Sequence, residues 1–183
     1  MGHFCVNCGA ALVLRTLDGR EVEACPNDDF VLWRDPKVAA AVVVESQGGI
    51  VLGRRAIEPG YGLWCLPGGF VNHDEDPASA AIRECREEIN ADVELTALLG
   101  TYHVAKRSVS SIIGIAYRGR VVDGGSISPG PEMLEVAVFT PDALPPLAFP
   151  SHREVLARFA GAGVPPAFPP SRAQESPKPP RTR

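Results

Sequence analysis

Residues 69–91 constrain the fold of this chain more than any other part of its sequence. They have the sequence GFVNHDEDPASAAIRECREEINA, in which a glycine turn and an acidic residue precede a segment that predicts a helix. Asp76 is suited to the N-cap, and Pro77 to the first helical position. Apolar side chains recur along one side of this helix, at Ala78, Ala81, Ile82, Cys85 and Ile89. The helix therefore has one buried stripe, and it can end at Asn90, a residue type that tolerates the left-handed conformation.

The other side of this helix is acidic. Glu84 and Glu88 are four residues apart and share a face, with Glu87 beside them. Without a counter-ion, such neighbours repel one another by about a few tenths of a kcal/mol per pair. The glycines in residues 66–69 let backbone groups approach a ligand closely. The pattern favours a divalent cation held against a phosphate-bearing ligand; the alternative is a solvated helix in which Arg83 pairs with Glu87.

The spacing G-x5-E-x7-R-E-C-x-E-E-x-N-A resembles the signature of the Nudix hydrolases, G-x5-E-x7-R-E-U-x-E-E-x-G-U, where U is apolar. The matching positions are Gly69, Glu75, Arg83, Glu84, Cys85, Glu87, Glu88 and Ala91. Asn90 stands where the family has glycine, and asparagine is a common substitute at left-handed positions. The segments RRAIEPGYGLWCLPGGF, PGPEMLE and LAFPSHREVL resemble a Nudix subgroup with an N-terminal zinc ribbon, which includes plant ADP-ribose/FAD pyrophosphatases. The resemblance implies an α/β fold, the Nudix α/β/α sandwich with a mixed β-sheet, preceded by a small β zinc-ribbon.

The resemblance also implies a metal site on the acidic face of the helix. Glu84 and Glu88 would bind the metal most directly, and Glu87 would assist. A backbone carbonyl of Gly68 or Gly69 would complete the set of ligands. Hard, oxygen-rich sites of this kind select Mg2+ or Mn2+.

Residues around these ligands are expected to support catalysis. By the same resemblance, Arg83 would pair with Glu75 and so orient the carboxylates of the helix. Glu132 or Glu135, which follow the Gly/Ser/Pro-rich segment at residues 121–131, would act as the general base, with Glu84 as an alternative. We favour Glu135.

Cysteines near the N-terminus indicate a second metal site. Cys5-x2-Cys8 and Cys25-x2-Asp28 have the layout of the two knuckles of a zinc ribbon. Asp28 occupies the position of the fourth cysteine, and His3 is a second candidate for that ligand. The sequence thus predicts either a structural Zn2+ site or a ribbon that folds without metal and buries its cysteines as small apolar groups.

The chain divides into three parts in this interpretation. They are a zinc-ribbon-like module at residues 1–35, a Nudix domain at 36–162, and a Pro-rich tail at 163–183 whose composition predicts disorder. In the module, strands are predicted at 11–16, 21–24 and 30–33, the first two around the turn dipeptide Asp18-Gly19. In the domain, strands are predicted at 38–45, 50–56, 63–66, 93–103, 109–120 and 136–140. A helix at 151–160, with Ser151 as its N-cap, is the last element.

The composition narrows the classes of partner. A net charge of −4 over 183 residues leaves no broad basic surface, so nucleic-acid binding is not expected. The longest apolar run, residues 38–44, is far too short to span a bilayer, and no signal pattern is apparent, so we expect a cytoplasmic protein. Five cysteines, an odd number, do not indicate a disulfide framework. The family resemblance implies a homodimer.

The sequence constrains the substrate less than the reaction. Arg54 and Arg55 could bind phosphate oxygens or simply end a strand in solvent. Trp64 and Phe149 could stack on a base or pack in the core, and His152 is expected at the surface. The favoured function is metal-dependent hydrolysis of the pyrophosphate bond in a small nucleotide, a nucleoside diphosphate linked to another moiety, with ADP-ribose or FAD as the leading substrates. The alternatives are NAD(H) or NAD-capped RNA as the substrate, or a nucleotide-binding regulator without turnover; the complete R-E-x-x-E-E set favours the enzyme.

Overall fold

The structure, a computed structural model, describes residues 2–104, 111–122 and 125–161. The tail predicted at 163–183 and the start of the strand predicted at 109–120 lie outside the described residues. Of those described, residues 2–37 and Ser111 belong to one compact unit, and the remainder, from Val38 onward, to another. Each unit is described separately.

The N-terminal unit contains a three-stranded antiparallel sheet in the order β1–β2–β3. Its strands are β1 (Val13–Leu17), β2 (Arg20–Ala24) and β3 (Val31–Leu32). Asp18 and Gly19 join β1 to β2 with φ angles of 49° and 75°, the positive values that a tight two-residue hairpin turn needs. The predicted hairpin is therefore confirmed, and the predicted third strand is present but shorter.

The second unit is built on a seven-stranded sheet. Five strands follow the order β10–β5–β4–β9–β8, while β6 pairs with β5 and β7 with β4. The elements in chain order are β4 (Lys37–Ser46), β5 (Gly49–Arg55), β6 (Trp64–Cys65), β7 (Gly68–Phe70), α1 (Pro77–Ile89), β8 (Val93–Val104), β9 (Ile112–Val121), β10 (Met133–Phe139) and α2 (Pro150–Gly161). Because β7 pairs with the central strand β4, Gly68 and Gly69 lie at the centre of the sheet.

Helices cover both faces of this sheet, and alternate residues of β4 point to opposite sides. Val42 and Val44 belong to a core cluster with Ala81 and Cys85 of α1. Val43 belongs to a second cluster, which contains Val155 and Leu156 of α2. All three valines are completely buried, which contributes about 1.5–3 kcal/mol per side chain to folding. The predicted α/β/α sandwich is confirmed, and β4 is central because both of its faces are apolar.

The ends of α1 form as the sequence predicts. Asp76 accepts hydrogen bonds from the backbone N–H groups of Ala78 and Ser79, at 3.0 and 3.1 Å. Asn90 ends the helix in the left-handed conformation, with φ 49° and ψ 36°, and its N–H donates to the carbonyl of Cys85. Local sequence is therefore sufficient to set both boundaries of the helix.

The buried stripe of α1 differs from the prediction in its details. The buried residues are Ala80, Ala81, Cys85, Glu88 and Ile89. Ala78 and Ile82 are only partly buried. Glu88 is buried even though it belongs to the face that the sequence predicts to be exposed, because Gly68 of β7 lies against its carboxylate.

The C-terminal helix α2 begins at Pro150, so Ser151 lies within its first turn. The prediction of Ser151 as the N-cap is therefore wrong, although the helix itself is confirmed. Within the described part of the chain, no helix is long and apolar enough to cross a membrane.

Candidate active site

The glycine loop fits directly against the acidic face of α1. Gly68 has a φ of 153°, and a Cβ at this position would collide with the carbonyl oxygen of Ala40. A Cβ on Gly69 would lie 2.5 Å from Oε1 of Glu84. Gly68 therefore requires glycine, because its φ is positive and a Cβ would meet the backbone of β4, whereas a Cβ on Gly69 would displace the carboxylate of Glu84. The carboxylate of Glu84 is held against backbone.

Glu88 is the most deeply placed carboxylate of the site, with 4% of its surface exposed. The N–H of Gly68 donates a hydrogen bond to its Oε2 at 2.9 Å, and no other hydrogen bond to this carboxylate is found within residues 2–104, 111–122 and 125–161. Burial raises the pKa of Glu88 to about 8, and the neighbouring charge of Glu84 adds to this rise. An ionised carboxylate here needs a cation beside it.

Arg83 connects the carboxylates on this side of the helix. Its Nη2 and Nε donate to Glu75 at 2.6 and 3.1 Å, and Nη2 also donates to the carbonyl of Phe70 at 3.1 Å. Nη1 donates to Glu84 at 2.8 Å and to Glu87 at 2.9 Å. The Arg83–Glu75 pair predicted as a brace and the Arg83–Glu87 pair of the alternative interpretation are thus both present.

Glu75 and Glu84 both accept hydrogen bonds from Arg83, but their pKa values shift in opposite directions. The guanidinium of Arg83 holds the pKa of Glu75 below its usual range, and the N–H of Asn72 contributes to this effect. Burial raises the pKa of Glu84, because the hydrogen bond from Arg83 only partly offsets the lost hydration. Glu75 therefore serves as a fixed anion for Arg83, whereas Glu84 is left with an incompletely compensated charge.

The carboxylate site, defined as Glu84, Glu87 and Glu88, fits a hard divalent cation. All of its donors are oxygens, as Mg2+ and Mn2+ prefer, and the buried Glu88 has the uncompensated charge that a cation would balance. Glu87 is more open, with 56% of its side chain exposed, consistent with an assisting role. Arg83 Nη1 lies between Glu84 and Glu87 and supplies the positive charge that these two share.

Glu132 and Glu135, two of the three candidate general bases, have different surroundings. Glu135 lies on β10 opposite Arg54 of β5, with 3.1 Å between Arg54 Nε and its Oε2. Glu132 precedes β10, and its charge raises the pKa of both Glu84 and Glu88. Gly130, two residues before Glu132, donates its N–H to the backbone carbonyl of Glu88 at 2.9 Å, so Glu132 lies near the helix that carries the carboxylate site. Glu135, the favoured candidate, is paired with Arg54.

Arg55, Phe149 and His152 form a cluster next to the site. Arg55 is 8% exposed; its Nε donates to the carbonyl of Pro59 at 2.8 Å, and its guanidinium lies 5.0 Å from the centre of the Phe149 ring. The charge of Arg55 opposes the rise in the pKa of Glu88. Arg55 is therefore a buried cation whose charge acts on Glu88, unlike Arg54, which pairs with Glu135.

His152 was not predicted to have a role, and it is half-buried rather than fully exposed at the surface. Its Nδ1 accepts a hydrogen bond from the backbone N–H of Leu66 at 3.0 Å, across 86 residues of sequence, and its ring meets Phe149 edge-on with 5.0 Å between centroids. Burial, with a contribution from Arg55, lowers the pKa of His152 to about 4. The only sequence signal for this cluster is the i, i+3 spacing of Phe149, which immediately precedes α2, and His152 in its first turn.

Trp64 lies in the core rather than in an open site. It packs edge-on against Phe139, with 4.7 Å between ring centroids, at the margin of the cluster under α2. This packing accounts for the indole without a substrate. Of the two aromatic residues predicted as substrate contacts, Phe149 is the one that lies beside a buried cation.

The four predicted ligands of the ribbon come together in the N-terminal unit. The ligand atoms of Cys5, Cys8, Cys25 and Asp28 all lie within 4.8 Å of one another. Asp28 Oδ2 is 3.2 Å from the Cys5 sulfur, and 3.5 Å separates the sulfurs of Cys8 and Cys25. A tetrahedral zinc site with Zn–S bonds of about 2.3 Å spaces its ligand atoms by about 3.8 Å, so the cluster has suitable dimensions. His3, the second candidate, instead contacts Glu23 at 2.9 Å.

Comparison with known proteins identifies the family of the chain. The family model of the NUDIX domain matches residues 34–159. The chain belongs to the Nudix family. An ADP-ribose pyrophosphatase from Methanocaldococcus jannaschii is 32% identical over 128 residues, covering 69% of this chain and 75% of that protein. An NAD-capped RNA hydrolase from Pseudomonas aeruginosa is 27% identical over 172 residues, covering 89% of this chain and 59% of that protein.

A solved structure also supports the Nudix fold. The crystal structure of a NUDIX hydrolase from Nitrosomonas europaea has a TM-score of 0.76 and 32% identity, covering 90% of this chain and 95% of its own. The Nudix fold and the identification of the chain as a Nudix pyrophosphohydrolase are thus confirmed. Divalent-metal dependence follows as a family property, and the carboxylate site on α1 carries the residues of the Nudix signature.

Proposed function

We propose that this Nudix enzyme hydrolyses the pyrophosphate bond of a nucleoside diphosphate linked to a second moiety, with ADP-ribose or FAD as its substrate. The observation that carries the proposal is the fit of Glu84 and Glu88 against Gly69 and Gly68. It combines closely placed carboxylate oxygens with backbone that carries no side chain, an arrangement suited to a cation and a phosphate together. A helix face that was merely solvated would not bury Glu88.

The residues have separate tasks in this reaction. A divalent cation bound by the carboxylate site would neutralise the phosphate oxygens and polarise the attacking water. Glu132 accepts a proton from that water, whose oxygen bonds to one phosphorus as the bridging P–O bond breaks. The leaving phosphate retains the bridging oxygen, so the products are two phosphate monoesters. Arg83, fixed by Glu75, keeps Glu84 in place.

Two observations support ADP-ribose or FAD as the substrate. The relative from Methanocaldococcus jannaschii, matched over three quarters of its length, is an ADP-ribose pyrophosphatase. In this chain, Arg55 and Phe149 present a cation and an aromatic ring beside the carboxylate site, suited to an anionic nucleotide with a flat base. Small-molecule nucleotides are therefore the proposed partners.

NAD-capped RNA is the second candidate, because the Pseudomonas aeruginosa relative with that name aligns over 89% of this chain. Its identity of 27% is lower and the net charge of the chain is −4, which gives little general attraction for an RNA backbone. A nucleotide-binding protein without turnover is the remaining alternative, and the complete carboxylate site favours an enzyme over it.

A product assay distinguishes these candidates. The protein is incubated with Mg2+ and, separately, ADP-ribose, FAD, NAD+, NADH and RNA carrying a 5′ NAD cap, and the phosphate products are measured. We expect AMP from ADP-ribose or FAD, and a loss of about 100-fold or more in Glu88→Gln, as when a residue central to phosphoryl chemistry is removed. Glu94→Gln, an exposed glutamate on β8 paired with Arg120, is the matched control.

Each outcome of this assay has a definite meaning. Preferred cleavage of the capped RNA would support the second candidate. Tight binding of a nucleotide without any turnover would support the regulator. Turnover in Glu88→Gln equal to that of the wild type would refute the assignment of the carboxylate site.

We also propose that Cys5, Cys8, Cys25 and Asp28 hold a structural Zn2+ ion. The closeness of the four ligand atoms supports this, as do two backbone N–H groups, those of Asn7 and Asn27, that donate to the sulfurs of Cys5 and Cys25 at 3.4 Å. Such bonds favour the charged thiolate, which is the form that binds metal. The homodimer and the cytoplasmic location stay predictions.

A further inference from the structure

We propose that the side chain of Asn90 positions Glu132, the residue to which the proposed function assigns the proton of the attacking water. Asn90 stands at the position of the signature stretch where the family pattern has glycine. A glycine could adopt its backbone conformation, so the conformation alone does not explain the side chain. The inference rests on the proposed function for its catalytic consequence, and on the contacts of the loop at residues 128–130 for its geometry.

The amide of Asn90 binds this loop at several points. Its Nδ2 lies 3.1 Å from the carbonyl oxygen of Pro129, 3.2 Å from Oγ of Ser128 and 3.4 Å from the carbonyl oxygen of Ser128. Carbonyl oxygens only accept hydrogen bonds, so the amide must turn its NH2 group toward the loop. A glycine at this position has no donor to replace it.

The backbone of the loop is held to the same end of α1. Ser128 N–H donates to the carbonyl of Ile89 at 3.0 Å, and Gly130 N–H donates to that of Glu88 at 2.9 Å. These are carbonyls of the last helical turn, which have no partner within the helix. A Cβ on Gly130 would collide with the carbonyl oxygen of Glu87. The loop thus lies in direct contact with the helix that carries the carboxylate site.

Glu132 follows this contact by two residues. Met133 N–H donates back to the carbonyl of Gly130 at 3.0 Å, so the chain turns immediately after the loop touches the helix. The carbonyl of Glu132 accepts a hydrogen bond from Ala56 N–H at 2.8 Å, which connects it to the end of β5. The turn leaves Glu132 anchored by backbone on one side and by the loop on the other. The side chain of Asn90 adds three contacts to the two backbone hydrogen bonds that hold the loop.

Replacing Asn90 by glycine separates this role from simple stability. Glycine adopts φ near 49° without strain, so the end of α1 should persist. We expect the temperature midpoint of unfolding to change little, while kcat falls by about tenfold, as small misplacements of catalytic groups produce, and KM stays within about twofold. Arg86→Ala, which removes an exposed ion pair with Asp92 at the same helix end, is the matched control and should leave kcat unchanged.

Two further measurements connect the effect to Glu132. In the double variant Asn90→Gly/Glu132→Gln, kcat should equal that of Glu132→Gln alone, because a residue that acts through Glu132 has no effect once its carboxylate is gone. Amide hydrogen exchange should become faster at Gly130 and Met133 in Asn90→Gly and stay unchanged at Ala81 and Cys85 in α1. Asn90→Asp, which tolerates the same backbone but cannot donate, should behave like Asn90→Gly.

The outcomes separate this inference from the proposed function. If the wild type cleaves none of the nucleotides, the proposed function fails, and the exchange rates still show whether Asn90 holds the loop. If the wild type is active, and the kcat and exchange rates of Asn90→Gly equal those of the wild type, the inference is refuted. Additive losses of kcat in the double variant, or a loss of stability that accounts for the loss of activity, would also refute it.

Discussion

The hydrogen bond between His152 and Leu66 predicts a specific dependence of stability on pH. The ring must be neutral to accept the N–H of Leu66 through Nδ1, at 3.0 Å, and its pKa is lowered to about 4 by burial and by Arg55. In an unfolded chain the pKa of histidine is about 6.5. Below pH 6.5 the unfolded state therefore binds more protons than the folded state, and the free energy of unfolding falls with falling pH.

The size of this effect follows from the two pKa values. The contribution of His152 is complete above about pH 6.5 and is lost as the pH falls toward about 4, by about 3 kcal/mol in total. At pH 5.0 about 2 kcal/mol of it is already lost. Glu84 and Glu88, whose pKa values are raised by burial, act in the opposite direction, so the contribution of His152 must be isolated by a difference between variants.

His152→Asn provides that difference. The side-chain oxygen of asparagine can take the position of Nδ1 and accept the N–H of Leu66, but it does not titrate. Urea unfolding followed by tryptophan fluorescence at pH 7.5 and pH 5.0 gives the free energy of unfolding for each protein. We expect the wild type to lose about 2 kcal/mol more than His152→Asn between these two pH values.

His152→Leu tests the hydrogen bond separately from the titration. Leucine fills much of the space of the ring but leaves the buried N–H of Leu66 without an acceptor, at a cost of about 1–3 kcal/mol that does not depend on pH. Equal pH dependence in the wild type and His152→Asn would refute the assignment of a neutral, titrating His152. Equal stability of His152→Leu and His152→Asn at pH 7.5 would refute the importance of the hydrogen bond.

Three further predictions concern the carboxylate site and the ribbon. Glu132→Gln should lower kcat by about 100-fold or more, and Glu135→Gln, its matched control, by less than about threefold; the reverse order in steady-state assays would restore Glu135 as the base. Gly69→Ala places a Cβ 2.5 Å from the carboxylate of Glu84, so more Mg2+ should be needed for half-maximal activity, whereas an unchanged Mg2+ titration would show that Glu84 does not depend on this contact. Cys25→Ser should lower the zinc content of the purified protein from one equivalent toward none, measured by elemental analysis, and a wild type with no zinc would contradict the metal site.

Much of the fold could be predicted because its signals are local. The completely apolar segment of β4 predicts a strand covered on both faces, and Val42, Val43 and Val44 are indeed buried between α1 and α2. Asp76 and Asn90 set the ends of α1 through conformations that each residue type prefers by itself. The prediction of Ser151 as the N-cap of α2 is wrong because Pro150, one residue earlier, can also begin a helix.

The parts of the site that could be predicted are those set by the spacing of residues along the sequence. Glu84 and Glu88 are placed by helical periodicity, but the burial of Glu88 depends on Gly68, which approaches from a strand 20 residues away in sequence. The choice between Glu132 and Glu135 depends on strand register, which pairs Glu135 with Arg54 and includes an irregularity just before it. His152 depends on Leu66, 86 residues away. Such contacts follow from tertiary packing, and no local pattern encodes them.

Arg83 shows why the same residues could support two interpretations from sequence. Its three nitrogens divide their contacts: Nε and Nη2 hold Glu75, whereas Nη1 holds Glu84 and Glu87. A cation that draws Glu84 and Glu87 away from Nη1 leaves the other two nitrogens bonded, so the guanidinium keeps its place while its partners change. Lysine, with a single ammonium group, could not keep Glu75 and release Glu84 independently. The planar fork of arginine is thus what allows one side chain both to brace the helix and to balance its carboxylates.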